Sequence, residues 1–184
     1  MSKRILIVTG DAGEGYEAWY AIHRFQEEGM EAVVASTSAR RMHMVMHDFE
    51  PGWETYIERP GYGVTASVGF DDVDPARFDA LLVLGGRAPE YLRHNEKLLS
   101  IVRAMDGAGK WIFSICHGIQ VLAAAGIVEG RTVTCYEHVR IEVALSKGRW
   151  DSRQAVRDGR MVTAQTWESH PEFYREVMQC LREG

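Results

Sequence analysis

The feature that most narrows the fold is a series of short, uninterrupted apolar runs, each stopped by glycine or a tight turn. Ile5-Leu6-Ile7-Val8 runs into Thr9-Gly10, Leu81-Leu82-Val83-Leu84 into Gly85-Gly86, and Trp111-Ile112-Phe113-Ser114-Ile115 into Cys116-His117-Gly118. Runs of this length suit strands buried on both faces, the condition of a parallel sheet covered by helices. Between them the period turns helical. Over residues 16–28, Tyr16, Trp19, Tyr20, His23 and Phe25 are expected largely on one side, with Gly29 closing the helix. Over 95–107, Leu98, Leu99, Val102 and Met105 form an inner face. Residues 32–35, 78–84 and 132–134 read as further strands, 117–125 as the helix leaving the Trp111 strand, and 171–182 as a closing helix. Asp158-Gly159 within 155–162 predicts a hairpin with a type I′ turn. Residues 37–70, rich in Met, His, Pro and Gly, alternate weakly and are expected to form an inserted hairpin region. The expected architecture is an α/β three-layer sandwich with a flavodoxin-like, mainly parallel sheet. With 184 residues, no repeat and no linker, the chain is read as one domain spanning 1–184.

Several function classes are excluded by what is missing. The net charge is -5 and the basic residues are scattered, so neither nucleic acid nor an anionic membrane is an expected partner. Met1-Ser2-Lys3-Arg4 precedes an apolar run too short for a signal peptide or an anchor. Three cysteines at 116, 135 and 180 form an odd, widely spaced set, which points to a reducing, cytoplasmic compartment. His43 and His47 are four apart but lack a third ligand, so no metal is expected. Gly10-Asp11-Ala12-Gly13-Glu14-Gly15 is acidic and misses the dinucleotide and P-loop spacings, so no nucleotide cofactor is expected either.

The chemistry concentrates at one junction. A buried strand passes into a helix with Cys116 at the turn and Gly118 two residues on, the pattern of a nucleophile elbow. A thiol near a helix N-terminus is favoured as thiolate, and the next backbone N–H is free to hold an oxyanion. The competing view of Cys116 is a small buried hydrophobe. Gly85 and Gly86 leave the neighbouring strand at the same sheet edge, where close backbone approach could present a second N–H, or simply make an exit turn. Glu14 and Glu17 follow the first strand; either could share a proton with the sulfur, or serve only as a partner of the helix dipole. Cys135 and Cys180 read as packing, Tyr136 and His138 as a pocket rim, and Arg87 as a binder of acid, a solvated side chain or, in preference, a subunit contact. The imidazole of His117, adjacent in sequence, is expected to point away from the sulfur.

These residues resemble the DJ-1/PfpI family of the class I glutamine-amidotransferase-like fold. The resemblance is carried by Glu14-Gly15-Tyr16-Glu17, Leu84-Gly85-Gly86-Arg87-Ala88-Pro89-Glu90-Tyr91-Leu92, Ser114-Ile115-Cys116-His117-Gly118, Gly126-Ile127-Val128-Glu129-Gly130-Arg131 and His170-Pro171-Glu172-Phe173. His47-Asp48-Phe49-Glu50 and Glu58-Arg59-Pro60-Gly61-Tyr62 are similar to the branch of plant DJ-1D proteins and archaeal PfpI-type proteases. The resemblance implies Cys116 as nucleophile with His117 beside it and Glu17 as the carboxyl on the thiolate. It also implies the amides of Gly86 and His117 at the oxyanion position, and Glu14 as a second acid of the pocket. It implies cofactor-independent, glyoxalase-III-like conversion of methylglyoxal or glyoxal to a hydroxy acid, or deglycase action, in stress protection. Two alternatives stay open: an intracellular peptidase formed on oligomerisation, and a non-catalytic redox sensor or chaperone. The family assembles as dimers and as hexamers built from them, so a homodimer at least is implied.

Overall fold

The structure is a computed structural model and describes residues 2–183. Its central sheet consists of β1 (Arg4–Val8), β2 (Glu31–Ser36), β3 (Val68–Gly69), β4 (Ala80–Val83), β5 (Trp111–Ile115), β6 (Ala155–Asp158) and β7 (Met161–Ala164). The spatial order is β6-β7-β5-β4-β1-β2-β3, and every pairing is parallel except β6 with β7. The helices are α1 (Gly15–Glu27), α2 (Ala88–Leu92), α3 (Glu96–Gly107), α4 (Ile119–Ala124), α5 (Arg140–Leu145) and α6 (His170–Glu183).

Alternation along the strands divides the interior into two cores. Ile5 and Ile7 of β1 pack with Phe25 of α1 and Phe173 of α6, while Leu6 and Val8 pack with Leu98, Val102 and Leu122 on the opposite face. Burying each such side chain contributes about 1.5–3 kcal/mol. This is the three-layer α/β arrangement expected from the apolar runs. The chain starts in the middle: β2 lies on one side of β1 and β4 on the other. The strand order therefore reverses beside β1, and such switch points open a crevice at the carboxyl ends of the strands.

Three local expectations are corrected. In α1 the buried residues are Gly15, Glu17, Ala18, Ala21 and Phe25, whereas Tyr16 is 51% exposed and His23 is also exposed. Small residues let this helix lie close on the sheet, and the large aromatics are left to its flanks. Thr132–Val133 stays outside the central sheet and pairs in parallel with Arg149–Trp150. The hairpin between β6 and β7 closes on Asp158 opposite Met161, so its two loop residues are Gly159 and Arg160. Only Gly159 has positive φ, at 58°, whereas a type I′ turn needs two such residues.

The region 37–70 folds as one long, interrupted hairpin. Arg41–Met42 pairs with Val64–Thr65, and Val45–Asp48 pairs with Ile57–Pro60, both antiparallel. It is fastened to the switch point through a parallel bridge between Glu14 and Val45, and by hydrogen bonds from Ala12 N–H to His43 O (2.8 Å) and Val45 N–H to Gly13 O (2.9 Å).

Candidate active site

Turns following β1, β4 and β5 meet at this crevice. The registers Val8 with Val83 and Val83 with Ser114 set the three strand ends level. Beyond β5 the chain makes a 3-10 turn over Cys116–Gly118 before α4 begins. Cys116 has φ 58°, a left-handed conformation that costs a non-glycine residue of order 1–3 kcal/mol. Gly118 makes the turn sterically feasible, because a Cβ there would lie 2.4 Å from Val83 O and 2.6 Å from Ser114 Oγ. The outcome is the elbow inferred from the sequence, with the sulfur raised over the sheet edge.

The sulfur has four neighbours that matter chemically. The backbone N–H groups of Gly86 and His117 act on it electrostatically and favour its thiolate, and the Glu17 carboxyl lies nearby, a Cβ on Gly85 falling 3.0 Å from both Sγ and Glu17 Oε2. His117 Nδ1 lies 3.3 Å from Sγ, so this imidazole turns toward the thiol and not away from it. The left-handed residue and the 3-10 turn bring consecutive side chains to the same side, which an α-helical start would not do.

Electrostatics couple the thiol to Glu17. Glu17 is fully buried on α1 and accepts from Gly85 N–H at 2.7 Å through Oε2. Burial drives its ionisation well above the usual carboxylate range, and the Glu14 charge adds to this. Burial likewise pushes the Cys116 thiol up, with the Glu17 charge second, while the Gly86 and His117 amides pull it down. Once Glu17 holds its proton, the charge that opposes the thiolate is removed. The two groups therefore behave as a proton-sharing pair. His117 is pushed down to about 4, mainly by burial, and is neutral at physiological pH.

Glu14 occupies a different position. It caps α1, accepting from Tyr16 N–H at 3.0 Å, and its Oε2 takes the backbone N–H of His47 at 2.9 Å and faces His47 Nδ1 at 2.8 Å. Its oxygens are thus engaged in fastening the hairpin. His43 is exposed while His47 is buried, so the two do not converge as ligands. Arg87 binds an acid of its own chain, Glu58, through two hydrogen bonds of 2.6 and 2.8 Å. Cys135 and Cys180 are buried away from this crevice, in separate parts of the core.

The sequence did not single out Tyr56 or His47 as parts of the pocket wall. Tyr56 packs edge-on against His47 (ring centroids 4.5 Å apart) and His117 (5.9 Å), and it meets Tyr136 at 5.5 Å. Tyr136 also lies against His117 and His138, as the rim reading implied. Phe49 stacks on Trp167 at 5.1 Å. Beneath this cover Cys116 retains only 6% of its accessible surface.

The profile of the DJ-1/PfpI family matches residues 3–180. DJ-1 homolog D of Arabidopsis thaliana is 41% identical over 98% of this chain, which spans about half (48%) of that longer protein. A protein of Thermococcus kodakarensis named a deglycase is 37% identical over 97% of this chain and 99% of its own. Among solved structures, a ThiJ/PfpI domain protein from Brachyspira murdochii superposes with TM-score 0.84 at 20% identity, covering 100% of this chain and 99% of its own. That likeness concerns the fold. Among the described residues no helix is long and apolar enough to cross a membrane.

Proposed function

The chain belongs to the DJ-1/PfpI family, and from that premise we propose that it is a cysteine enzyme of small reactive carbonyls, converting α-dicarbonyls such as methylglyoxal to hydroxy acids. The observation that carries this reading is the nearly sealed Cys116 sulfur beside the fully buried Glu17 carboxyl, whose ionisation burial raises well above the usual carboxylate range. The thiolate adds to the aldehyde carbon, and Glu17 gives its proton to the oxygen as the S–C bond forms. As a carboxylate, Glu17 then takes the proton from that carbon and returns it to the neighbouring one, leaving a hydroxyacyl thioester. Water cleaves the thioester to the hydroxy acid and restores the thiol. The two carbons exchange oxidation level internally, so the sequence needs no redox cofactor. The amides of Gly86 and His117 serve the developing negative charge. Relatives named deglycases support carbonyl-adduct chemistry at the level of the family.

One observation favours a second reading, a peptidase: the 3.3 Å approach of His117 Nδ1 to the sulfur supplies a thiol–imidazole pair. Access argues against it, because an extended peptide cannot reach a sulfur that is only 6% exposed. The deciding experiment incubates purified protein with methylglyoxal in the absence of glutathione. Lactate should form, and Cys116→Ala should abolish it; turnover retained in that variant would sink the mechanism.

A further inference from the structure

We propose that Tyr56, packed by the hairpin of residues 45–60 against His117 beside Cys116, sets the size of carbonyl that the thiol accepts, with His47 as the positioning residue that holds it there. The proposal rests on the carbonyl reading and narrows it: the substrates are free, short-chain dicarbonyls, and adducts on protein side chains are excluded.

The argument begins with how the hairpin is held. His47 sits between two carboxylates on different parts of the chain. Its backbone N–H and Nδ1 meet Glu14 Oε2 at 2.9 and 2.8 Å, and its Nε2 lies 3.2 Å from Glu58 Oε2. Glu58 in turn is gripped by Arg87, which directly follows the Gly85-Gly86 turn. A continuous polar chain therefore runs from the first turn of α1 through both hairpin strands to the start of α2. Hydrogen bonds to charged groups are stronger than neutral ones, the more so where the group is buried as His47 is. The hairpin is accordingly fixed at the crevice.

What the hairpin delivers there is an aromatic ring. Tyr56 packs on His47 on one side and on His117 and Tyr136 on the other, so it bridges the fastening and the site. Its phenol feels the charge on Cys116 as well as its own desolvation, and its ionisation is pushed up to about 12, so it stays a neutral O–H at the mouth. With Cys116 only 6% exposed, the space left above the sulfur is small. Tyr56 is half-buried and makes no backbone pairing of its own, so it can be shortened without undoing the fold.

Two measurements on the full-length protein test this. The first compares modification of Cys116 by iodoacetamide and by fluorescein maleimide, followed by peptide mass spectrometry. Tyr56→Ala should raise the maleimide-to-iodoacetamide rate ratio by roughly tenfold or more, the scale of steric discrimination in an enzyme pocket. Tyr56→Phe should keep the wild-type ratio, and His47→Gln should shift it in the direction of Tyr56→Ala with the far-UV spectrum unchanged. The second compares KM for phenylglyoxal and methylglyoxal, whose ratio should fall in Tyr56→Ala and not in Tyr56→Phe. A reagent ratio unaltered in Tyr56→Ala overturns the proposal. If the reagent ratio shifts but the wild-type protein turns over no dicarbonyl, the size limit stands and the carbonyl reading falls.

Discussion

Gly85 lies directly beneath Cys116: a Cβ on the glycine would come within 2.5 Å of the cysteine Cβ and 3.0 Å of its sulfur. The same Cβ would lie 3.0 Å from Glu17 Oε2, which accepts the Gly85 N–H. Absence of a side chain at this position thus lets the thiol and the carboxyl meet. Gly85→Ala should push the two apart, cost about 1–3 kcal/mol of stability by overpacking, and remove most activity. Denaturant unfolding together with methylglyoxal turnover checks both halves of this expectation.

Glu17→Gln removes the proton shuttle but keeps an acceptor for Gly85 N–H, so the fold should persist. Turnover of methylglyoxal should fall by about 10²- to 10⁴-fold, the usual contribution of a general acid–base group. Steady-state kinetics should show the loss in kcat, with Cys116 still open to iodoacetamide. A variant that turns over within a few-fold of wild type would remove Glu17 from the mechanism.

The acid limb of stability should come from two buried histidines. His117 and His170 are each pushed down from 6.5 to about 4, chiefly by burial. In that window the unfolded chain binds the proton first, so their contribution is complete above pH 6.5 and is lost as pH falls toward 4. Each is worth on the order of 3 kcal/mol. Glu17 has the opposite sign, since its raised ionisation favours the folded state at low pH and that favour fades as pH rises. His170 stacks on Tyr20 at 4.4 Å, and neither of its ring nitrogens has a hydrogen-bond partner. His170→Phe should therefore narrow the difference in melting temperature between pH 7.5 and pH 5, measured by calorimetry.

The remaining cysteines should be silent. Burial pushes Cys135 up to about 12 and Cys180 to about 11, and neither has the Gly86 and His117 amides that pull Cys116 back down. Iodoacetamide at pH 7.5 should label Cys116 alone in the folded protein. Cys135→Ala and Cys180→Ala should retain wild-type turnover; loss of turnover in either would place a second thiol in the chemistry.

The legible parts of this molecule were those in which local sequence and burial coincide. The strands Arg4–Val8 and Trp111–Ile115 are covered on both faces, so their apolar runs report them directly. Cys116 was legible because strand, thiol and Gly118 are adjacent in the chain. The face of α1 was misread because its large aromatics were taken to mark the core, whereas Ala18 and Ala21 do. Residues 45–60 gave little signal of their structure, since Val45–Asp48 buries only His47, Ile57–Pro60 buries no side chain, and their order depends on partners more than thirty residues away, such as Glu14 for His47. Tyr56, between Thr55 and Ile57, had no period to announce it. The segment's hints were His47 and Glu58, which lie in the two motifs that carry the resemblance to the plant and archaeal branch.

The hairpin contributes no strand to the central sheet between its first pairing at Arg41–Met42 and its last at Val64–Thr65. Reactivity and selectivity are therefore inherited on different stretches of chain. The tip can be lengthened, shortened or exchanged without altering the strand pairings that set the elbow.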